Sequence, residues 1–257
     1  MTDRTGRGPH FVQSVERALA IMRTFTARQP ALTLSEAARA AGLDGATARR
    51  LLLTLADLGY VRGDGKTFRL TPRALDIGYA YLSSLALPDL AQPHLQALAH
   101  AFNETAALGI LDGHEIVYLA HATSSRIPHL KILVGSRFPA WTTSMGRVLL
   151  AGTADDELDK RLEQVNAIDW TVAELRTELE QIRTRGWAMA EHELDAGLRG
   201  VAAPIRNRQG RLVAAVTVSA PSERTTPAIM GREYVPELLR TARLIEADLA
   251  TSGTPEG

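Results

Sequence analysis

The 257-residue chain contains no cysteine. That absence removes disulfide frameworks, thiolate metal sites and cysteine nucleophiles together. No segment approaches the roughly 18 uninterrupted apolar residues of a membrane span, and no charged start leads into an apolar run. A soluble, cytoplasmic protein without membrane contact is therefore expected.

Enzyme signatures are missing as well. His192-Glu193 begins like a zinc-protease helix, but the position four after His192 is Ala196, where a second histidine is required. His94 and His100 are six apart, on different faces of a helix, while His114, His121 and His129 are scattered through loop and strand. No Gly-rich phosphate loop and no Gly-x-Ser-x-Gly elbow occurs. The expectation is no catalytic residue, no metal site and no cofactor, with a small-molecule enzyme or a sensor module without DNA binding as the alternative reading.

Net charge is absent on average, since 29 basic residues meet 29 acidic ones. The balance hides an asymmetry. Residues 1 to 75 hold 12 basic against 6 acidic residues, leaving 17 and 23 for the remainder. A basic first third fits a nucleic-acid module joined to a domain that need not touch phosphate.

At 45% hydrophobic content the chain can bury a sizeable core, and its length suggests two folded units between polar tails at 1–10 and 251–257. The first third predicts three helices. Ser14 to Phe25 carries Val15, Ala18, Leu19 and Met22 at helical spacing, with Ser14 as N-cap. Thr33-Leu34-Ser35-Glu36 is a capping box for a helix over Leu34 to Ala41, which Gly42 ends. Asp44 caps a third helix from Gly45 to Leu58, stopped by Gly59. Helix, short Gly-containing turn, helix is the helix-turn-helix layout. Tyr60-Val61-Arg62 and Lys66 to Leu70 flank Gly63-Asp64-Gly65 and predict a hairpin with basic residues on both arms, a wing suited to lie along phosphate.

On a helical wheel of about 100° per residue, Leu58, Leu51, Leu55, Ala48 and Leu52 form the packing sector of the third helix, and Ala46, Arg49, Arg50 and Leu53 face outward. Arg49 and Arg50 suit a guanine edge or a phosphate, Ala46 a thymine methyl, and Thr47 a phosphate at the edge. The candidate DNA-contacting residues are therefore Ala46, Thr47, Arg49 and Arg50 on the helix and Arg62, Lys66 and Arg69 on the wing. An arginine pair is by itself often a solvated helix face. The preceding capped helix and the basic wing favour DNA binding.

Thr71 as N-cap and Pro72 at the first helical position predict a linker helix to about Ala86. Its apolar, aromatic side chains suggest packing against something. Pro88 marks a boundary before a helix over Asp89 to Phe102. The expected organisation is a winged helix-turn-helix at 11–70, a linker helix at 71–88 and a larger domain at 89–250. Within that domain, strands are predicted at Thr105–Leu111, Glu115–Ala122, Leu130–Val134, Trp187–Glu193, Leu198–Ile205 and Leu212–Ser219. Helices are predicted at Ser144–Ala151, Asp155–Val165, Val172–Arg185 and Gly231–Ala250. Antiparallel strands with grouped helices make an α+β sensor fold.

Leu34-Ser35-Glu36-Ala37-Ala38 followed by Leu51 to Val61 resembles an IclR-type regulator. The likeness continues through Arg69 to Leu82, Asp112 to Tyr118, Thr143 to Ala151 and Glu193 to Pro204. Tyr79 to Ser84 and Arg137 to Ala140 are most similar to the branch controlling β-ketoadipate and protocatechuate catabolism. The resemblance implies a GAF-like effector domain, dimerisation through the N-terminal part, homodimers or homotetramers, a double-stranded DNA operator and a small organic acid as effector. Protocatechuate, 4-hydroxybenzoate and β-ketoadipate are the acids it suggests. One departure stands out: Asp44-Gly45 occupies the place where many members carry proline or a basic residue.

The same resemblance implies an effector pocket between the sheet and Thr143, Ser144, Met145 and Gly146, with Thr217 and Ser219 on the last strand, the Ala190 to Gly200 stretch over the opening and Glu193 beside it. A helix start attracts a carboxylate, and hydroxyls two apart on a strand share a face. Read without the resemblance, Ser144 is an ordinary N-cap, Thr217 and Ser219 are satisfied by neighbours, and Glu193 fixes a loop. Trp141 is core packing or an aromatic wall.

Overall fold

The computed structural model describes residues 8–82, 84–124, 133–162, 170–191 and 197–252. Contacts divide the chain into two compact units, Met1–Ser84 and Leu85–Gly257.

The first unit contains α1 (Gln13–Arg23), α2 (Leu34–Ala40), α3 (Gly45–Asp57), the hairpin β1 (Val61–Gly63) and β2 (Phe68–Leu70), and α4 (Ala74–Leu82). Ile21, Leu32, Ala37, Ala38, Ala48, Leu52, Leu55 and Val61 form its core. The predicted capping box is present: the Thr33 hydroxyl accepts from Glu36 N at 3.3 Å and the Glu36 carboxylate accepts from Thr33 N at 2.8 Å. Gly42 and Gly59 adopt φ of +65° and +80°, the left-handed geometry that glycine takes at a helix end at no steric cost.

Several expectations for this unit are corrected. Helix α1 starts at Gln13 after Val12, so Ser14 lies inside it and is not the cap. Its stripe is less buried than the spacing suggested, because Val15 and Leu19 are 56% and 45% exposed. Leu58 is exposed too, as it forms the C-cap of α3 beyond the last packed turn. Thr71 does not cap α4. Its hydroxyl donates to Gly59 O, tying the wing's exit to the end of α3, and the helix begins three residues later. Helix α4 ends at Leu82 and buries none of its residues, with Leu75 and Tyr79 each 71% exposed.

The second unit is built on a six-stranded antiparallel sheet in the order β5-β4-β3-β8-β7-β6. The strands are β3 (Thr105–Asp112), β4 (Glu115–Thr123), β5 (Arg137–Pro139), β6 (Ala188–Glu191), β7 (Leu198–Arg206) and β8 (Leu212–Pro221). Helices α5 (Ala86–Phe102) and α10 (Val235–Thr251) pack on one face. On the other lies α6 (Ser144–Ala151), with α7 (Asp155–Leu162) and α8 (Val172–Arg185) joining it in a core that includes Met145, Leu149, Leu179, Ala107, Ala202 and Ala215. The result is the expected α+β fold with an antiparallel sheet.

Several boundaries moved. Pro88 does not separate two helices. It sits in the first turn of α5, where its missing N–H has no intrahelical partner to lose. The expected strand at Leu130–Val134 is not found where it can be seen: Leu133 and Val134 are exposed and outside any strand, while residues 130–132 lie outside the described residues. The edge is instead β5, paired with Glu115 to Val117. Residues 163–165, expected at the end of α7, and residues 192 and 193, expected in β6, also lie outside the described residues. The last helix is reached through the short turn α9 (Pro227–Ile229) and a π-helical segment, Met230–Tyr234, rather than starting at Gly231.

Helix α6 approaches its surroundings unusually closely. A Cβ on Gly146 would meet Ala140 O at 2.1 Å, inside the 3₁₀ turn Ala140–Thr142 that precedes the helix. Gly146→Ala must therefore displace buried backbone, and it is expected to lower stability by at least about 2 kcal/mol. Urea unfolding monitored by circular dichroism will show this as a reduced midpoint at constant slope.

Candidate functional site

Two groups of residues were expected to act, and the structure distributes them over the two units. In the first, Asp44 caps α3, its carboxylate accepting from Thr47 N at 2.9 Å. That backbone hydrogen bond holds the Asp44 carboxyl below its ordinary range. The cap fixes the start of α3 and thereby the direction in which its side chains leave. Ala48, Leu52 and Leu55 turn inward, whereas Ala46, Arg49, Arg50 and Leu53 are exposed along one side and Thr47 is half-buried at its edge.

The hairpin adds Arg62, Lys66 and Arg69, all exposed. Arg62 and Arg69 are direct cross-strand partners. The Asp64 carboxylate closes the tip by accepting from Lys66 N at 2.9 Å and Thr67 N at 2.7 Å, and these bonds pull its carboxyl down to about 2. Among the described residues none of Arg49, Arg50, Arg62, Lys66 and Arg69 forms an ion pair. Ten of the eleven ion pairs among the described residues join the Arg and Glu or Asp side chains of the second unit, and the remaining one joins His94 to Asp248 there. These five cations of the N-terminal unit are thus without an ion-pair partner among the described residues.

The second group centres on the start of α6. Thr143, not Ser144, is the N-cap: its hydroxyl accepts from Gly146 N at 2.9 Å, so one first-turn donor is already used within the helix. Ser144 Oγ lies 3.3 Å from Thr217 Oγ1, and Thr217 donates to Val201 O at 2.9 Å. Thr143, Ser144, Met145 and Thr217 are all buried, and Ser219 is 6% exposed. The structure thus brings Ser144 and Thr217 together, with Ser219 one pleat further on the same face of β8. Glu193 lies outside the described residues. Trp141 is buried in the core that includes Met145 and is a packing residue.

Register shows a feature that single strands do not display. The Ser219 row continues through Thr105 on β3, Gly200 on β7 and Ala190 on β6, and the Thr217 row through Ala107, Ala202 and Ala188. Nearly every side chain on this part of the sheet is small. These rows make a floor of small side chains with hydroxyls as its polar points. The resemblance places the Ala190 to Gly200 stretch over the pocket opening. Sequence reasoning missed Thr105, because it joins this row only through pairing.

It also missed Arg147. This side chain is buried, donates from Nε to Trp141 O at 2.9 Å and from Nη1 to Met189 O at 3.4 Å, and lies 4.6 Å over the Trp170 ring. Arg147 thereby braces the turn before α6 against β6. Its signal was an arginine inside an otherwise apolar helical run. No group of three or more His, Asp or Glu side chains among the described residues could hold a metal ion, and no described helix is long and apolar enough to cross a membrane.

Thr217→Val keeps the shape of the side chain but leaves the Val201 carbonyl without its hydroxyl donor. A loss of about 1 kcal/mol is expected, read as a lowered thermal midpoint of the free protein.

Comparison with known proteins completes the picture. Residues 14–65 match the IclR helix-turn-helix domain, and residues 79–247 match the bacterial transcriptional regulator IclR C-terminal domain. The Pca regulon regulatory protein of Pseudomonas putida is 36% identical over 242 residues, covering 91% of this chain and 83% of that protein. A solved protein from Rhodococcus sp. RHA1 is 48% identical with a TM-score of 0.79, covering 93% of this chain and 98% of its own. An IclR homolog from Microbacterium hydrocarbonoxydans, solved in complex with 4-hydroxybenzoate, is 25% identical with a TM-score of 0.78 over 92% of this chain and 98% of its own.

Proposed function

The chain belongs to the IclR family of bacterial transcriptional regulators, and from that premise we propose that it binds a duplex operator through α3 and the wing under the control of a small aromatic or dicarboxylic acid. The observation that carries the DNA-binding half is the set of exposed cations without ion-pair partners, Arg49 and Arg50 on α3 with Arg62, Lys66 and Arg69 on the hairpin. Arg49 and Arg50 reach base edges in the major groove, Ala46 contacts a thymine methyl, and Thr47 with the wing residues holds the backbone.

The effector lies on the small-residue floor of the sheet, against Thr143, Ser144, Met145 and Gly146, with Thr217 and Ser219 as hydroxyl contacts and Glu193 at its side. Support comes from the buried Ser144 to Thr217 pair and from the two similar proteins named above, one regulating a Pca regulon and one solved with 4-hydroxybenzoate. The protein acts in the cytoplasm, where its DNA is.

The active species is a homodimer or a homotetramer. Apolar side chains are exposed on α1 (Val15, Leu19) and on α4 (Leu75, Ile77, Tyr79, Tyr81), more than isolated leucines explain, and burial against a second copy would account for them. Effector control then requires the acid to favour one arrangement of the paired recognition helices over another.

Arg49→Ala with Arg50→Ala is expected to weaken operator binding by about 2 kcal/mol or more in a gel-shift titration. The affinity of the unsubstituted protein should fall steeply with salt as counterions are released. Unchanged affinity in the double variant would remove α3 from the interface. In thermal-shift screening, protocatechuate, 4-hydroxybenzoate or β-ketoadipate at about 100 times its Kd should add about 2.7 kcal/mol to stability. No shift from any of the three would overturn the assignment of the effector class.

A further inference from the structure

Beyond residue 75 acidic residues outnumber basic ones, yet one turn of the second unit runs against that balance. Arg206, Arg208 and Arg211 lie at the turn that joins β7 to β8, and all three are exposed. Glu246 on α10 accepts from Arg206 N at 2.7 Å, and Arg243, one helical turn before Glu246 and on the same side of α10, is exposed as well. None of the four arginines forms an ion pair among the described residues. The turn is held without them. Asn207 is buried, and its side-chain oxygen accepts from Gln209 N at 3.1 Å and Arg211 N at 2.9 Å, while Gly210 N donates to Asn207 O at 2.8 Å. Gly210 takes the left-handed φ of +78° that closes the turn. Among the described residues, only the Arg206 guanidinium is used within it, on Gly210 O at 3.1 Å. A turn fixed by its own backbone thus displays like charges that the fold does not employ.

We infer that this arginine turn is a second phosphate-binding surface, which grips the duplex backbone outside the base pairs that α3 reads. The inference rests on the DNA-binding reading and extends it to a unit whose overall charge points away from DNA. Chemistry decides the partner. Guanidinium groups present planar forks that match phosphate oxygens, and a duplex offers a phosphate about every 3.4 Å along each strand, enough to meet several arginines at once. A protein partner would need an apolar or aromatic anchor at the centre of the contact, and from Arg206 to Arg211 the turn reads Arg-Asn-Arg-Gln-Gly-Arg, with none. A small anion would need an enclosed site, whereas these side chains are exposed. The carboxylate bonded to the turn, that of Glu246, is outnumbered by the four cations. Contacts of this kind fix position and add salt dependence without adding a sequence preference.

The test uses the full chain and an operator obtained by selection from random duplexes, in two lengths. One is trimmed to the base pairs whose replacement costs affinity, and the other carries about two further helical turns of arbitrary sequence on each side. Arg208→Gln with Arg211→Gln and Arg243→Gln should leave the melting temperature of the free protein unchanged, because the turn is held by Asn207 and Gly210. On the long duplex the triple variant should bind at least about ten-fold more weakly, and the slope of log K against log salt should fall by about 2 to 3, since each lost phosphate contact removes about 0.9. On the trimmed duplex the two proteins should agree within about two-fold, with the same cost for each changed base pair. An unchanged salt slope on the long duplex would overturn the inference. So would an equal loss on both lengths, which would place the contact within the base pairs that α3 reads. A change in the assembled mass of the variant, read by sedimentation without DNA, would give the turn to contacts between copies and overturn the inference as well. Failure of the unsubstituted protein to bind any duplex would overturn the DNA-binding reading itself, whereas binding that does not depend on duplex length would overturn this inference alone.

Discussion

The close seating of α6 on the sheet is the constraint from which the rest of the second unit follows. Two glycines permit it. Gly146 has no room for a Cβ beside Ala140, and a Cβ on Gly109 would lie 2.6 Å from Met145 Sδ and 2.8 Å from Val117 O. With the helix held this near, Ser144 reaches Thr217 and Arg147 reaches the carbonyls of Trp141 and Met189. Buried polar groups at such depth are stable only when satisfied, and here each is bonded to backbone or to another hydroxyl. The same closeness requires small residues beneath the helix, and Ala107, Ala202 and Ala215 supply them. One row further, where Ser219, Gly200 and Ala190 continue the pattern, the shallow floor persists beyond the helix start.

The first unit follows a different logic. Its core is small and its helices are short, so a large share of its apolar surface remains at the exterior of the single chain. Helix α4 buries no side chain, and α1 buries only Ile21. Isolated helices of this length are marginal in water, and their persistence depends on packing. The charge pattern adds to the contrast. The ion pairs between described residues lie in the second unit, Arg137 with Glu115, Arg185 with Glu178 and Arg224 with Glu104 among them.

Much of this was legible in the sequence because the signals are local. Thr33 with Glu36, Asp44 before Gly45, and Gly42 and Gly59 at helix ends each act within a few residues, and the three helices of the first unit lie where those residues indicate. Antiparallel strands on either side of Asp112-Gly113-His114 and of Asn207 to Gly210 were readable for the same reason. What depends on tertiary partners was not. A Thr-Pro pair reads as a helix start, yet the Thr71 hydroxyl finds Gly59 O twelve residues back and the helix waits until Ala74. Leu58 has the right angle to pack but lies past the last turn that has a neighbour. Strand β5 is three residues of unremarkable composition, Arg-Phe-Pro, made into a strand by its pairing with β4. Likewise the hydroxyl partners of Ser144 and the small-residue rows exist only once β3, β7 and β8 are in register.

Asp44 carries a last consequence. The N-terminus of a helix is a ready anion site, and a recognition helix can grip any passing phosphate with it. Here that end is occupied by the protein's own carboxylate, bonded to Thr47 N and held in its charged form. A phosphate therefore finds that end already taken, while Arg49 and Arg50 remain displayed further along. Whatever anion α3 meets, it must meet through its side chains and not through the backbone N–H that Asp44 holds.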